Sequence, residues 1–217
     1  MTSPAGDIEY EQWVTWKAHK ANDSKFHRLE FRHELEFGLT DRLQLGIYLA
    51  DWEIVDSKSD SGAEYKKSAV ELIYSLSDPT ADPIGSALYF EAGLGPEIAL
   101  LEAKLLLQKN FGPISAVYNF TLEAEWEGDD YAEEVGEIKN TIGVVYQVNP
   151  SLSFGFEALH EVELADWSDA GDNVFYLGPN VSYRKGDFFA VLSPLFQLSD
   201  VESEPDFATR LIFGFNF

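Results

Sequence analysis

The end of the chain alternates between two kinds of side chain. In residues 206–217, one parity is almost entirely apolar and consists of Phe207, Thr209, Leu211, Phe213, Phe215 and Phe217. The other parity is mostly small or polar and consists of Ala208, Arg210, Ile212, Gly214 and Asn216. Successive side chains of a β-strand point to opposite faces, so the pattern predicts a strand with one aromatic face. The chain stops on that face, whereas termini are normally polar and frayed.

The same alternation runs through most of the chain. Residues 26–39 are the clearest case, because charged side chains take one parity and apolar ones the other, interrupted only by His33. Residues 8–17 predict an earlier strand, and residues 18–25 predict a polar break between the two. Residues 98–108 favour helix by composition, but they also alternate, so a strand is predicted there. The result is about twelve strands, most of them long enough to cross a bilayer obliquely.

The predicted connections differ in length in a regular way. Short turns are expected at residues 40–42, 110–113, 149–151 and 184–187, and longer, mostly acidic loops lie between them. Two connections break the rule, since residues 78–85 are long and Pro96-Glu97 is short. This alternation is typical of barrels with short turns at one rim and longer loops at the other.

Composition excludes several classes of protein. The net charge of −23 argues against a nucleic-acid partner, because phosphate binding needs a basic surface. The absence of cysteine removes disulfides and thiolate metal sites. No apolar run reaches the roughly 18 residues of a transmembrane helix. The chain also starts without the basic and apolar segments of a signal peptide, which predicts a mature form with an added Met if the protein is exported.

Alternation alone leaves open whether the apolar parity points into a soluble barrel or out towards lipid. The positions of the large amphipathic side chains favour the second alternative, in which the apolar parity faces lipid. Tryptophans lie where strands approach the longer loops, at Trp16, Trp52, Trp126 and Trp167, and tyrosines lie near the shorter turns, at Tyr74, Tyr146 and Tyr183. Two aromatic belts are typical of the two membrane interfaces. A barrel of about twelve strands is also too wide for side chains to fill with apolar groups alone.

The terminal aromatic strand resembles the C-terminal signal of bacterial outer-membrane β-barrels, which ends on alternating aromatics. Residues 9–13 and 31–42 are also similar to small outer-membrane transporters of the porin type. The resemblance implies a single antiparallel up-and-down barrel over residues 1–217, located in the bacterial outer membrane with both termini in the periplasm. It implies that Phe213, Phe215 and Phe217 are read by the barrel-assembly machinery. It further implies contact with membrane lipid and lipopolysaccharide.

The polar parity then predicts the lining of a lumen. The predicted pore-lining residues are Arg28, Glu30, Arg32, Glu34, Glu36, Glu71, Glu91, Glu102, Lys104, Glu123, Glu125, Glu137, Lys139, Glu157, Glu161, Glu163 and Arg210. Carboxylates outnumber cations, so a water-filled lumen is expected to favour cations or neutral polar solutes. The alternative is a closed structural or adhesion barrel, packed shut by carboxylate–guanidinium pairs.

A lipid-modifying enzyme is the competing hypothesis. It depends on His33 and His160, which interrupt apolar faces. Neither is part of a His-x-Ser pattern, and no His-x-x-x-His spacing suggests a metal. The sequence therefore predicts no enzyme, no catalytic residue, no metal and no cofactor.

Overall fold

A computed structural model describes residues 2–217, which form strands and short connections. The strands are β1 (Ile8–Lys20), β2 (Asp23–Thr40), β3 (Leu43–Asp56), β4 (Ser61–Ser77), β5 (Gly85–Leu94), β6 (Ile98–Phe111), β7 (Ile114–Glu127), β8 (Glu133–Asn149), β9 (Leu152–Ala165), β10 (Asp169–Ala170), β11 (Val174–Lys185), β12 (Phe188–Gln197) and β13 (Phe207–Asn216). The described residues contain no helix long and apolar enough to cross a membrane.

The long strands close into one antiparallel barrel. Each strand pairs with the next along the chain, β9 pairs with β11, and β13 pairs with β1 to complete the ring. The two-residue strand β10 lies on the end of β9 and is not part of the wall. Twelve strands therefore form the wall, and the prediction of a single antiparallel barrel of about twelve strands is confirmed.

The barrel has two rims. The terminal rim carries both chain ends and the turns at residues 41–42, 78–84, 112–113, 150–151 and 186–187. The loop rim carries residues 21–22, 57–60, 95–97, 128–132, 166–173 and 198–206. The connections at residues 21–22, 57–60 and 128–132 are short because the flanking strands continue through polar residues.

The predicted polar break at residues 18–25 is wrong. Strand β1 extends to Lys20, strand β2 begins at Asp23, and a two-residue turn joins them. The side chains of Ala18 and Phe26 are buried. Packing of this kind holds the segment in the sheet although its other side chains are polar.

The burial of side chains is reversed relative to a soluble protein. Glu34 and Glu91 are each 1% exposed, whereas Phe156 is 65% exposed and Leu94 64%. Glutamate is rarely buried and large apolar side chains rarely face water. The apolar parity therefore faces lipid and the charged parity faces the lumen, as the sequence predicts.

One irregularity in the wall reverses the alternation of β3. The register with β2 and with β4 shifts between Tyr48 and Asp51. Strict alternation from Tyr48 would place Asp51 towards lipid and Trp52 towards the lumen. The bulge instead turns Asp51 inward, where it contacts Arg32, and leaves Trp52 outward, where it stacks on Phe31.

Candidate functional site

The charged side chains meet inside the barrel. Arg32 of β2 reaches Glu91 of β5, with 3.8 Å between Nη1 and Oε2, although two strands separate them along the wall. Arg210 of β13 likewise forms an ion pair with Glu157 of β9. Contacts between strands that are not neighbours have to pass through the lumen.

The strand registers place every predicted pore-lining residue on this inward side. They are Arg28, Glu30, Arg32, Glu34, Glu36, Glu71, Glu91, Glu102, Lys104, Glu123, Glu125, Glu137, Lys139, Glu157, Glu161, Glu163 and Arg210. Their part in conduction remains a prediction.

Six of the inward glutamates form one continuous line, here named the glutamate row. Glu71, Glu91, Glu102, Glu123, Glu137 and Glu163 occupy directly paired positions on the consecutive strands β4 to β9. Because barrel strands tilt by roughly 35–45°, a line across paired positions climbs along the lumen. It ends near the loop rim, since Glu163 lies just before the end of β9 at Ala165.

Lysines and an arginine form ion pairs with four of the six glutamates of the row, whereas Glu71 and Glu163 have none among the described residues. Lys139 Nζ lies 3.2 Å from Glu123 Oε1 and 2.7 Å from Glu137 Oε2. Lys104 Nζ lies 2.7 Å from Glu102 Oε1. Directly opposed like charges destabilise a sheet, so these cations stabilise the arrangement.

A chamber of about 420 Å³ opens inside the loop-rim half of the lumen. Its lining carries charges of both signs: the cations are Lys17, Lys20, Arg28, Arg32, Lys66, Lys67 and Arg210, and the carboxylates are Glu30, Asp51, Glu53, Glu161 and Glu204. The charge of the lumen is therefore not evenly acidic along its length. Cations slightly outnumber carboxylates on the chamber wall.

Side chains fill the lumen beside the chamber. Arg32 donates to Asp51 at 2.9 and 3.1 Å and lies over the ring of Tyr48. On the opposite wall, Ser193 donates to Glu157 at 3.1 Å and is fully buried. These contacts narrow the passage between the two halves of the lumen.

The terminal half of the lumen is different, because the carboxylates clustered there form no ion pair with a lysine or arginine of residues 2–217. Glu11, Glu34 and Glu36, here named the acidic cluster, present oxygens that all lie within 4.8 Å of one another. Their strands β1 and β2 are neighbours, and Glu11 pairs directly with Glu34. The neighbouring Glu71 accepts a hydrogen bond from the hydroxyl of Tyr48.

The N-terminal segment, residues 2–7, covers this half of the lumen from the terminal rim. The Ser3 amide donates to Gln44 Oε1 at 2.7 Å, and the Gly6 amide donates to the Gly38 carbonyl at 2.8 Å. A Cβ atom on Gly38 would lie 1.9 Å from the Pro4 carbonyl oxygen. Only glycine leaves space for this crossing.

The predicted interface aromatics lie on the outer wall. Trp16, Trp52, Trp126 and Trp167 are on the loop-rim half, and Tyr74, Tyr146 and Tyr183 are on the terminal half, all partly or largely exposed. Trp126 and Trp167 pack edge to face, with ring centroids 5.1 Å apart. The fifth tryptophan, Trp13, instead points inward and donates to Glu11 Oε2 at 2.7 Å. The anchoring role of the outer set stays a prediction.

The C-terminal aromatics lie on the closing strand. Phe215 pairs with Phe188 and their rings are 5.1 Å apart, on the lipid side. Phe213 shares that face, and the Phe217 amide donates to the Ile8 carbonyl at 2.8 Å. The strand therefore seals the barrel, while its recognition during assembly remains a prediction.

His33 belongs to a closed hydrogen-bond network on the outer wall. The indole N–H of Trp52 donates to His33 Nε2 at 3.0 Å, and Tyr10 Oη lies 3.2 Å from His33 Nδ1. Since an indole nitrogen only donates, Nε2 of His33 accepts this hydrogen bond. Tyr10 then donates to Gln12, which donates to the Arg32 carbonyl.

His160 has a similar set of partners. Asn140 Nδ2 lies 3.2 Å from His160 Nδ1, and His160 Nε2 lies 2.9 Å from Asn173 Oδ1. The Tyr118 hydroxyl donates to Asn140 at 2.7 Å, and the ring of Phe175 stacks on the imidazole. Both histidines therefore have both ring nitrogens in hydrogen bonds, which accounts for their tolerance on the outer wall.

Several inward residues are absent from the predicted lining. Glu11 and Lys17 share the inward parity of β1, and Lys67 shares that of β4, so extending the alternation would have found them. Asp51 lies beyond the bulge, so the alternation of β3 does not predict the side on which it lies. The covering of the lumen by the N-terminal segment has no signal in the sequence.

Fold, outward apolar surface and charged interior together define a bacterial outer-membrane β-barrel. Within that class, the chain belongs to the family described as "Family of unknown function (DUF6662)", which it matches over residues 1–205. No curated protein matches the chain. The predicted class and outer-membrane location are confirmed.

Solved structures with the same fold include transport proteins. The COG4313 outer membrane channel from Pseudomonas putida F1 is 15% identical with a TM-score of 0.65, and the match covers 100% of this chain and 97% of that one. The NanC porin is 8% identical with a TM-score of 0.59, covering 96% and 98%. The KdgM porin is 9% identical with a TM-score of 0.58, covering 97% and 99%.

Proposed function

We propose that the chain is a narrow outer-membrane channel for small polar or cationic solutes. The glutamate row is the observation that carries this proposal. It gives the lumen carboxylates at directly paired positions on six successive strands. Carboxylates on the wall of a confined passage lower the energy of cations and raise that of anions.

The chamber supports the part of the proposal that concerns small polar solutes. Its volume of about 420 Å³ lies within the range of roughly 300–1,000 Å³ typical of small-molecule sites. Groups of both signs on its wall would hold a polar or zwitterionic solute before it enters the narrower part of the lumen. The similar structures described as a channel and as porins add support at the level of the fold.

A closed structural barrel is the second candidate. It is favoured by the side chains that fill the middle of the lumen, where Glu91 and Ser193 are almost without exposure. In that case the charged pairs only stabilise the wall. Measurement of conductance separates the two candidates.

The test is single-channel recording in a planar bilayer with a KCl gradient. We expect a small conductance and a reversal potential that indicates a preference for K⁺ over Cl⁻. The variant Glu102→Gln/Glu123→Gln should lose most of that preference. The matched control Asp129→Asn/Asp130→Asn removes the same charge from a loop and should retain it. No conductance at any voltage, or equal selectivity in both variants, contradicts the proposal.

Neither a reaction nor a cofactor is part of this function. His33 and His160 act as hydrogen-bonded members of the wall in this proposal. The remaining partners follow from the location: lipid and lipopolysaccharide around the outer wall, and the barrel-assembly machinery at Phe213, Phe215 and Phe217. Periplasmic exposure of the terminal rim belongs to the same proposal, and a protease site placed in residues 78–84 would test it.

A further inference from the structure

The acidic cluster in the terminal half of the lumen is not held together by ion pairs. Within residues 2–217, no lysine or arginine forms an ion pair with Glu11, Glu34 or Glu36. The nearby Arg32 is directed at Asp51 and Glu91 instead. Three carboxylates with oxygens within 4.8 Å of one another repel strongly when they are withdrawn from water.

One buried oxygen of the cluster and one beside it have no hydrogen-bond partner. Glu34 Oε1 and Glu71 Oε1 are both inaccessible and unpaired, and the two residues are 1% and 3% exposed. Buried polar atoms normally have a partner, so each unsatisfied one calls for an explanation. Glu71 comes from β4 and is not a member of the cluster, which makes it an independent observation.

Gly46 brings these two glutamates together. A Cβ atom on Gly46 would lie 2.6 Å from Glu34 Oε1 and 3.3 Å from the carboxyl carbon of Glu71. Gly46 pairs with Glu36 on one side and with Glu71 on the other. The missing side chain therefore lets the Glu34 carboxylate lie against the backbone of β3, next to the Glu71 side chain.

We propose that the acidic cluster is a binding site for one calcium ion. Glu11, Glu34 and Glu36 supply carboxylate ligands, and the free oxygen of Glu71 completes the site. Calcium takes six to eight oxygen ligands in flexible geometry, whereas magnesium demands a stricter octahedron and retains water. A divalent ion also offsets more of the local charge than a potassium ion does.

The surroundings orient the ligands. The Trp13 indole donates to Glu11 Oε2 at 2.7 Å, and the Tyr48 hydroxyl donates to Glu71. Each bond holds one carboxylate oxygen and leaves the other available. Hydrogen bonds of this kind fix the orientation of ligating carboxylates in metal sites. The N-terminal segment covers the cluster from the terminal rim, which limits exchange with solvent.

Calcium titration of the detergent-solubilised barrel tests the proposal. After removal of metal with EDTA, isothermal titration calorimetry with CaCl₂ should give one ion per chain, and MgCl₂ should bind more weakly. The variant Glu34→Gln/Glu36→Gln should bind at least about tenfold more weakly, since ligand charge sets affinity in oxygen sites. The control Glu125→Gln, an inward glutamate outside the cluster, should bind as the wild type does. Heat-modifiable gel mobility confirms that each variant is folded.

A steric variant provides a second test. Gly46→Ala places a methyl group against Glu34 and Glu71, and should weaken calcium binding while every carboxylate is retained. Gly62→Ala is the matched control, because its added atom meets nothing within 4 Å. Absence of binding to the folded wild type overturns the proposal, and so does equal binding to all variants, which would place the ion on surface carboxylates. Calorimetry does not depend on conductance, so a barrel that conducts without binding calcium overturns this inference alone.

Discussion

The two halves of the lumen differ in whether their carboxylates have cationic partners. In the loop-rim half, Lys17 lies 2.8 Å from Glu30, and Lys139 lies between Glu123 and Glu137. In the terminal half, the acidic cluster has no cationic partner in the described residues and lies beneath the N-terminal segment. Both halves obey the same inward parity, so parity does not explain the difference.

The difference comes from the cations, because both halves pair glutamate directly with glutamate. In the loop-rim half, Lys104 and Lys139 form ion pairs with Glu102 and Glu137, which lie two residues away on the same strands. Across β1 and β2 in the terminal half, glutamate pairs with glutamate twice, Glu9 with Glu36 and Glu11 with Glu34. The carboxylates of the second region therefore repel one another unless an ion or protons lie among them.

The largest expected effect comes from Arg32, which lies between the two halves. Arg32→Ala leaves Asp51 and Glu91 buried with less countercharge. Removal of one partner from a buried pair costs about 3–5 kcal/mol, and we expect the lower end, about 3 kcal/mol, because Lys67 remains nearby. Urea unfolding in lipid vesicles measures it.

The control for Arg32 is Lys66→Ala, which breaks a more exposed pair with Glu64 and should cost less than about 1 kcal/mol. Equal effects of the two variants would show that the mid-lumen pairs contribute no more than surface ones. The same Arg32 variant should also raise single-channel conductance, since it clears part of the passage.

The second prediction removes the cover of the terminal half. Gly38→Val forces the Pro4 carbonyl away, because even a Cβ would lie 1.9 Å from it. We expect faster proteolysis of residues 2–7, a higher conductance and a loss of about 1–3 kcal/mol from overpacking. Gly62→Val adds the same side chain in open space and should leave all three unchanged. An unaltered cleavage rate in Gly38→Val would mean that the segment does not depend on this contact.

The third prediction concerns the outer wall and leaves the lumen untouched. His33→Leu strands the indole N–H of Trp52 in an apolar environment, so stability should fall by about 1–2 kcal/mol. Conductance should not change. A double-mutant cycle with Trp52→Phe should give a coupling of about 0.5–1.5 kcal/mol. A coupling near zero would show that the hydrogen bond between His33 and Trp52 contributes nothing to stability. A change in conductance would show that this outer-wall network affects the lumen.

The smallest effect is expected at the terminal-rim turn of residues 78–84. The hydroxyl and amide of Thr80 donate to Asp78 and hold the pKa of that carboxyl below its ordinary value. A lowered pKa stabilises the fold above the ordinary pKa of about 4, and the contribution is lost as the pH falls through the folded value. Thr80→Ala should therefore lower the urea midpoint slightly at neutral pH and have less effect in strong acid. A larger effect of Thr80→Ala in strong acid than at neutral pH would contradict the lowered pKa of Asp78.

Much of the wall could be predicted from the sequence, since alternation assigns Glu71, Glu91 and Glu102 to one face wherever the strands are regular. The polar composition of residues 18–25 predicts a break that the fold does not contain, because the buried Ala18 and Phe26 hold the segment in the sheet. The side of Asp51 could not be predicted, because a bulge depends on the two neighbouring strands.

The sequence by itself determined the class of fold and the face on which each regular side chain lies. A period of two residues is a local property, and the aromatic closing strand of residues 206–217 reports which face meets lipid. Only the tertiary structure decided which charges meet. Glu71 and Glu163 are far apart in the chain, yet they lie on one glutamate row because strand register and tilt set contacts across the barrel. The acidic cluster and its cover arise in the same way, from side chains that converge only when the barrel closes.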